Sequence, residues 1–205
     1  MPLSSEKKIW LWEKTANITL AILFTFFVIL FSYDVIINKR IASVLMLLKA
    51  VLDVVFFIIR KNPIALSLSF FDWLVAITRT CVVFLFIPSG LSDNHFGHVV
   101  QLVGFTLQFL AALSLNQSWG IVPANRGIKT EGLYNYVRHP LYLAHIIAFT
   151  GFLMNNFSTH NSIIYGAFLC LIVLSIVREE RFLLKSEDYK NFAERTKWRL
   201  MPGVY

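Results

Sequence analysis

Long apolar runs separated by short polar turns constrain this chain more than any other feature of it. The run at residues 17–37 carries only Asp34 as a formal charge, and at that length it can cross a bilayer as one helix. Further apolar runs follow at 41–59, 65–87, 99–115, 141–153 and 162–177. A backbone in hydrocarbon must satisfy its own hydrogen bonds, so such runs read as helices. The chain is 57% hydrophobic and 15% charged, with a mean hydropathy of +0.63, against about 45–50% apolar and about 25% charged in soluble domains. The expected fold class is all-α, a polytopic transmembrane helical bundle of about six spans.

The formal net charge of +7 falls on residues that flank apolar runs, which fits membrane orientation and argues against nucleic acid as a partner. Lys and Arg collect at the N-terminus, at Arg60-Lys61, across 126–138 and in the tail, whereas 89–97 and 155–161 contain neither. Six spans with both termini cytoplasmic satisfy this pattern, Lys39-Arg40 excepted. Trp10 and Trp12 among the lysines of residues 1–15 suit an interfacial lead-in rather than a signal peptide. Cys81 and Cys170 read as small core hydrophobes, with no disulfide or zinc site implied. His95 and His98 have helical spacing but no third ligand nearby, so no metal site is expected.

Four charges lie inside the runs. Lys49 and Asp53 share one helix face, as do Asp72 and Arg79 two turns apart. At such depth charges face the bundle interior and pair. They read either as a polar pathway or as ion pairs locking the second and third helices together. Gln101 and Gln108 share a face of the fourth run, and a lipid entrance between the fourth and fifth runs would pass them.

The densest polar and aromatic cluster is residues 132–142, Gly-Leu-Tyr-Asn-Tyr-Val-Arg-His-Pro-Leu-Tyr. It ends a loop, 116–138, that is longer than most in compact domains, and Pro140 suits the first turn of a helix. One apolar hairpin then returns the chain to the same face at Glu179-Glu180. Beyond it, Phe182, Leu183, Tyr189 and Phe192 have the spacing of an amphipathic surface helix. Arg138 and His139 suit a carboxylate or phosphate, while carboxylates and aromatic faces suit a cation, including a sulfonium. S-adenosylmethionine combines these groups. The positive-inside rule with a helix-starting proline accounts for Arg-His-Pro equally well, so these residues alone leave both readings open.

The ordered series Gly132-Leu133-Tyr134, Val137-Arg138-His139-Pro140-Leu141-Tyr142, an apolar hairpin, Glu179-Glu180, Tyr189 and Pro202 resembles the isoprenylcysteine carboxyl methyltransferase family. Phospholipid methyltransferases share much of the pattern. The resemblance covers roughly residues 126–202 and is specific at the level of the superfamily. It divides the chain into N-terminal spans, 1–115, and a methyltransferase-like region, 116–205, within one integrated domain. It implies a cytoplasmic cofactor pocket for S-adenosylmethionine lined by Arg126, Gly127, Ile128, Lys129, Tyr134, His139, Pro140, Leu141, Tyr142 and Glu180. It implies catalytic roles for Glu179, Glu180 and Arg178, the last as the nearest counterpart of an arginine that positions the substrate carboxylate. The chain departs from the family where it reads Lys185-Ser186 in place of a usual Phe-Gly, and where Phe192 stands for a frequent tyrosine.

The resemblance implies an enzyme of the bacterial inner membrane or endoplasmic reticulum that methylates a lipidic or prenylated acceptor drawn from the bilayer. Carboxyl methylation of an isoprenylcysteine-like substrate is the first expectation, and phosphatidylethanolamine N-methylation the alternative. A small transporter using the four intramembrane charges, or a sterol-reductase-like enzyme with a nicotinamide cofactor, are the further readings. Neither the acceptor nor the oligomeric state is legible in the sequence.

Overall fold

The computed structural model describes residues 5–38, 41–59, 61–87, 94–118 and 120–205. The chain is mostly helical: α1 (Ser5–Asn38), α2 (Ile41–Ile59), α3 (Phe70–Val82), α4 (His95–Leu115), α5 (Pro140–Asn155), α6 (Thr159–Leu183) and α7 (Glu187–Arg195). Two of the described helical segments, His95–Ser118 and Thr159–Leu183, are long and apolar enough to cross a membrane. Large apolar side chains cover the outside, with Ile58 71%, Phe70 79%, Phe96 66% and Ile163 66% exposed. An apolar exterior of this extent suits contact with lipid. The side chains of Asp34 and Lys49, every side chain before Lys14, the Lys39-Arg40 turn, Arg60 and residues 88–93 lie outside the described residues.

The apolar run at 65–87 departs from the expected single span. Its first residues form β1 (Ala65–Leu66), which pairs antiparallel with β2 (Ala124–Asn125). Polar residues cause the break: the Ser67 hydroxyl bonds Asp72, and the Trp73 indole N–H donates to the Ser67 carbonyl at 2.9 Å. These bonds hold residues 67–69 extended before the helix. α3 then runs for 13 residues, about 20 Å at 1.5 Å per residue. At its far end Asn161, fully buried, joins Ile87 in both directions, donating to its carbonyl at 2.9 Å and accepting its N–H at 3.1 Å.

α4 and α5 make the tightest pair, through small residues that let the backbones approach. A Cβ at Gly104 would strike the Ala148 backbone, and one at Gly151 would strike Gln101 and the Gly97 carbonyl. This closes the lipid entrance expected beside Gln101 and Gln108. Both glutamines are buried in the helix contact, and Gln108 Nε2 donates to the Ala144 carbonyl at 3.5 Å. Cys81 and Cys170 sit on the exterior rather than in the core, since a lipid-facing surface accepts a thiol as readily as packing does. A core of Val82, Phe86, Phe149, Phe168, Ile172 and Ile176 joins α3, α5 and α6. The helices on either side of residue 115 thus pack as one body.

α6 continues through Arg178-Glu179-Glu180 instead of ending there, and closes at Leu184. α7 follows, its Ser186 hydroxyl accepting the Tyr189 N–H at 3.2 Å as an N-cap. Its apolar face, Tyr189 and Phe192, packs on Tyr134 and Leu183.

Candidate functional site

Successive residues on an α-helix point about 100° apart, and the end of α6 uses this to aim three charged side chains at three neighbours. Arg178 turns to α3, where its Nε bonds Asp72 at 2.5 Å and its guanidinium lies 5.0 Å from the Phe71 ring centroid. Glu179 accepts the Tyr142 hydroxyl hydrogen at 2.8 Å. Glu180 is buried and receives Arg138 Nε at 2.7 Å, His139 Nε2 at 3.1 Å and Arg199 Nε at 2.7 Å.

Glu180 is therefore the anchor of the tail. Its partners come from the loop before α5 and from the chain after α7, and the backbones of these two segments also pair. Arg138 N–H donates to the Trp198 carbonyl at 2.9 Å, and His139 N–H to Arg199 at 2.8 Å. Arg138 Nη1 reaches the carbonyls of Thr196 and Lys197, both at 3.0 Å, and so also caps the C-terminal end of α7. The bond to Glu180 holds the Arg199 guanidinium above its ordinary range. With Lys185-Ser186 at the turn between α6 and α7, the tail still bonds to the loop through these contacts.

Two cavities meet at this junction. The outer one, about 90 Å3, is lined by Arg126, Gly127, Ile128 and Lys129 from the loop and by Tyr189 and Phe192 from α7. The inner one, about 170 Å3, runs among the helices past Arg79, Phe105, Gln108, Leu141, Phe149 and Phe168. Tyr134, Arg138, His139 and Glu179 line both. No cation among the described residues pairs with Glu179, so its charge is left for whatever enters. Tyr189 is buried on the outer side with its hydroxyl unpartnered. Burial, then the nearby carboxylates Glu180 and Glu179, pushes its phenol up; burial does the same to Tyr134.

The sequence-derived residues largely converge here. Gly127 (φ +93°) and Gly132 (φ +60°) take left-handed turns that glycine adopts without strain, and a Cβ at Gly132 would strike Ser114. Arg126 lines the outer cavity but spends its Nε on the Lys61 carbonyl at 3.1 Å, fixing the loop to the chain before β1. Leu141 and Tyr142 line the inner cavity only, while Pro140 is the buried first residue of α5 and lines neither. Arg178 lines neither cavity, because its position on α6 turns it toward Asp72.

Asp72 and Arg79 share a face of α3 yet serve different partners, Asp72 joining α3 to α6. Arg79 is one of the four charges that read from sequence either as a polar pathway or as ion pairs between the second and third helices. Its guanidinium instead lies 4.8 Å from the Tyr142 ring centroid, with Nη2 donating to the Ile121 carbonyl at 3.4 Å. Its spacing from Asp72 was the available signal, but which neighbour each charge meets depends on helix rotation, which cannot be read from one run. Asp53 lines the same inner wall and has an interaction of its own.

The chain is mostly helical, and two of its described helices are long and apolar enough to cross a membrane. The chain belongs to the family described as a protein of unknown function (DUF1295), which matches residues 72–196. No curated protein matches it.

Proposed function

We propose that the protein is an integral-membrane methyltransferase that uses S-adenosylmethionine to methylate a lipidic acceptor. The observation that carries this reading is the pair of cavities with a common wall of Tyr134, Arg138, His139 and Glu179. One cavity is polar and opens beside the loop and tail, and the other is apolar and lies among the helices. A transfer between a water-soluble donor and a bilayer-borne acceptor needs that arrangement. Family membership supports the same reading, since the family is a membrane family related to isoprenylcysteine methyltransferases and to steroid 5-alpha-reductase-like proteins.

The residues of the outer cavity fit the cofactor. Glu179 offers an unpaired carboxylate to a sulfonium, Lys129 a cation to a carboxylate, and the orphaned Tyr189 hydroxyl a partner for a polar group. When bound, S-adenosylmethionine supplies an electrophilic methyl group. Tyr142 orients Glu179, and Glu180 fixes Arg138 and His139 at the common wall. The aromatic walls of the inner cavity exclude water, and alignment of the two partners accounts for most of the acceleration. A carboxylate acceptor needs no base, which favours carboxyl methylation of an isoprenylcysteine-like substrate. An amine acceptor, as in phosphatidylethanolamine, gives its proton to Glu179. On this reading the chain crosses a bacterial inner membrane or the endoplasmic reticulum with about six spans and both termini in the cytoplasm.

Calorimetric titration of the detergent-purified protein with S-adenosylhomocysteine tests the proposal, and measurable binding is expected; Glu179→Gln weakens binding of S-adenosylmethionine, which carries the sulfonium, more than that of S-adenosylhomocysteine, which lacks it. The relation to reductases gives the second reading. Binding of NADPH without binding of S-adenosylhomocysteine replaces the methyltransferase by a reductase.

A further inference from the structure

The inner cavity carries two polar groups that the fold leaves unanswered. Arg79 Nε is buried without a hydrogen-bond partner, and so is the Oε1 of Gln108, a side chain only 1% exposed. No carboxylate among the described residues pairs with Arg79. A buried polar group left without a partner is costly, more so when charged, and calls for an explanation. Both groups line one aromatic cavity, where a low dielectric strengthens any charge pairing. One is a hydrogen-bond donor with a positive charge. The other is an acceptor. A ligand that answers both presents an anionic group to the first and an N–H or O–H to the second.

We infer that Arg79 and Gln108 select the molecule held in the inner cavity: a single-chain amphiphile with an anionic group and an adjacent hydrogen-bond donor. This rests on the reading of the inner cavity as the acceptor site, and it moves anion recognition from Arg178, which is tied to Asp72, to α3. Arg79 lies 4.8 Å from the ring of Tyr142, whose hydroxyl bonds Glu179. An anion on Arg79 therefore sits one side chain from the wall common to both cavities. The chain of the amphiphile lies along Phe105, Phe149 and Phe168.

Equilibrium binding of radiolabelled N-dodecanoylglycine to the full chain in lipid nanodiscs tests this, with competition by its methyl ester, by N-dodecanoylsarcosine and by dodecyltrimethylammonium. The ester lacks the anion, and the sarcosine derivative lacks the N–H. The wild type is expected to prefer N-dodecanoylglycine to its ester by roughly tenfold, as a charge-assisted bond requires, and to the sarcosine derivative by roughly fivefold. Arg79→Gln removes the first preference, Arg79→Lys keeps part of it, and Gln108→Leu removes only the second. Preference for dodecyltrimethylammonium, or an ester discrimination that survives Arg79→Gln, overturns the inference. Failure of the wild type to bind N-dodecanoylglycine overturns it as well. Titration with S-adenosylhomocysteine, whose site Arg79 does not line, reports folding of each variant. If the wild type fails to bind S-adenosylhomocysteine but shows the Arg79-dependent preference, methyl transfer falls and the anion site stands.

Discussion

Tyr142 donates its hydroxyl hydrogen to Oε2 of Glu179 at 2.8 Å, tying the first turn of α5 to the last turns of α6. The bond holds the one carboxylate of the common wall that has no cationic partner among the described residues. Tyr142→Phe removes it while keeping the ring beneath Arg79. A loss of about 1 kcal/mol in stability is expected, with S-adenosylhomocysteine binding retained and methyl transfer slowed. Thermal melts and single-turnover rates measured together separate the two effects. An unchanged rate would place the orientation of Glu179 elsewhere.

Neighbouring glutamates are expected to behave in opposite ways. Glu180→Gln leaves Arg138, His139 and Arg199 facing a neutral amide in a site where the glutamate side chain is only 5% exposed. Removing one member of a buried ion pair costs about 3–5 kcal/mol, somewhat less here because Arg199 is 39% exposed. Limited proteolysis should then cut the tail between Lys185 and Lys197. Glu179→Gln should leave the melting temperature and protease resistance near wild type and weaken cofactor binding.

Asp72 and Arg178 join α3 to α6, with side chains 7% and 24% exposed. A double-mutant cycle with Asp72→Asn and Arg178→Met should give a coupling of about 1–2 kcal/mol, with little change in binding of S-adenosylhomocysteine. A catalytic Arg178 would show the reverse, near-normal stability with lost turnover.

Alkali should loosen the tail. Tyr134 and Tyr189 have phenols raised above their ordinary value of 10.0 by burial. The folded state therefore favours the neutral phenol, and this stability is fully present below about pH 10. It is lost as the pH rises above that value, where the unfolded chain ionises first. Melting temperatures followed from pH 8 to 11 should fall steeply at the upper end, and Tyr189→Phe should flatten the fall.

The polar half of the site was legible because its residues are close in the chain. Gly132 through Tyr142 sit on one turn and one helix start, and a single hairpin fixes where Glu179 and Glu180 return. The roles within that set were not legible. Whether Glu179 or Glu180 faces a cavity depends on the rotation of α6 against its neighbours, set by the packing of Phe168, Ile172 and Ile176. Arg79 was hidden for the same reason. The broken start of α3 was hidden by composition, since Ser67 and Ser69 are too few to interrupt the apolar run by hydropathy, and only their bonds to Asp72 and Arg178 reveal why the helix begins late.

The fan of Arg178, Glu179 and Glu180 at the end of α6 has a consequence for how such a chain can diverge. Each side chain answers to a different neighbour, so each can be exchanged without disturbing the other two connections. All three depend on one angular register. A single residue inserted in α6 ahead of Val177 would turn every one of them toward the wrong neighbour at once. A substitution there therefore costs one connection, whereas a change in length costs all three.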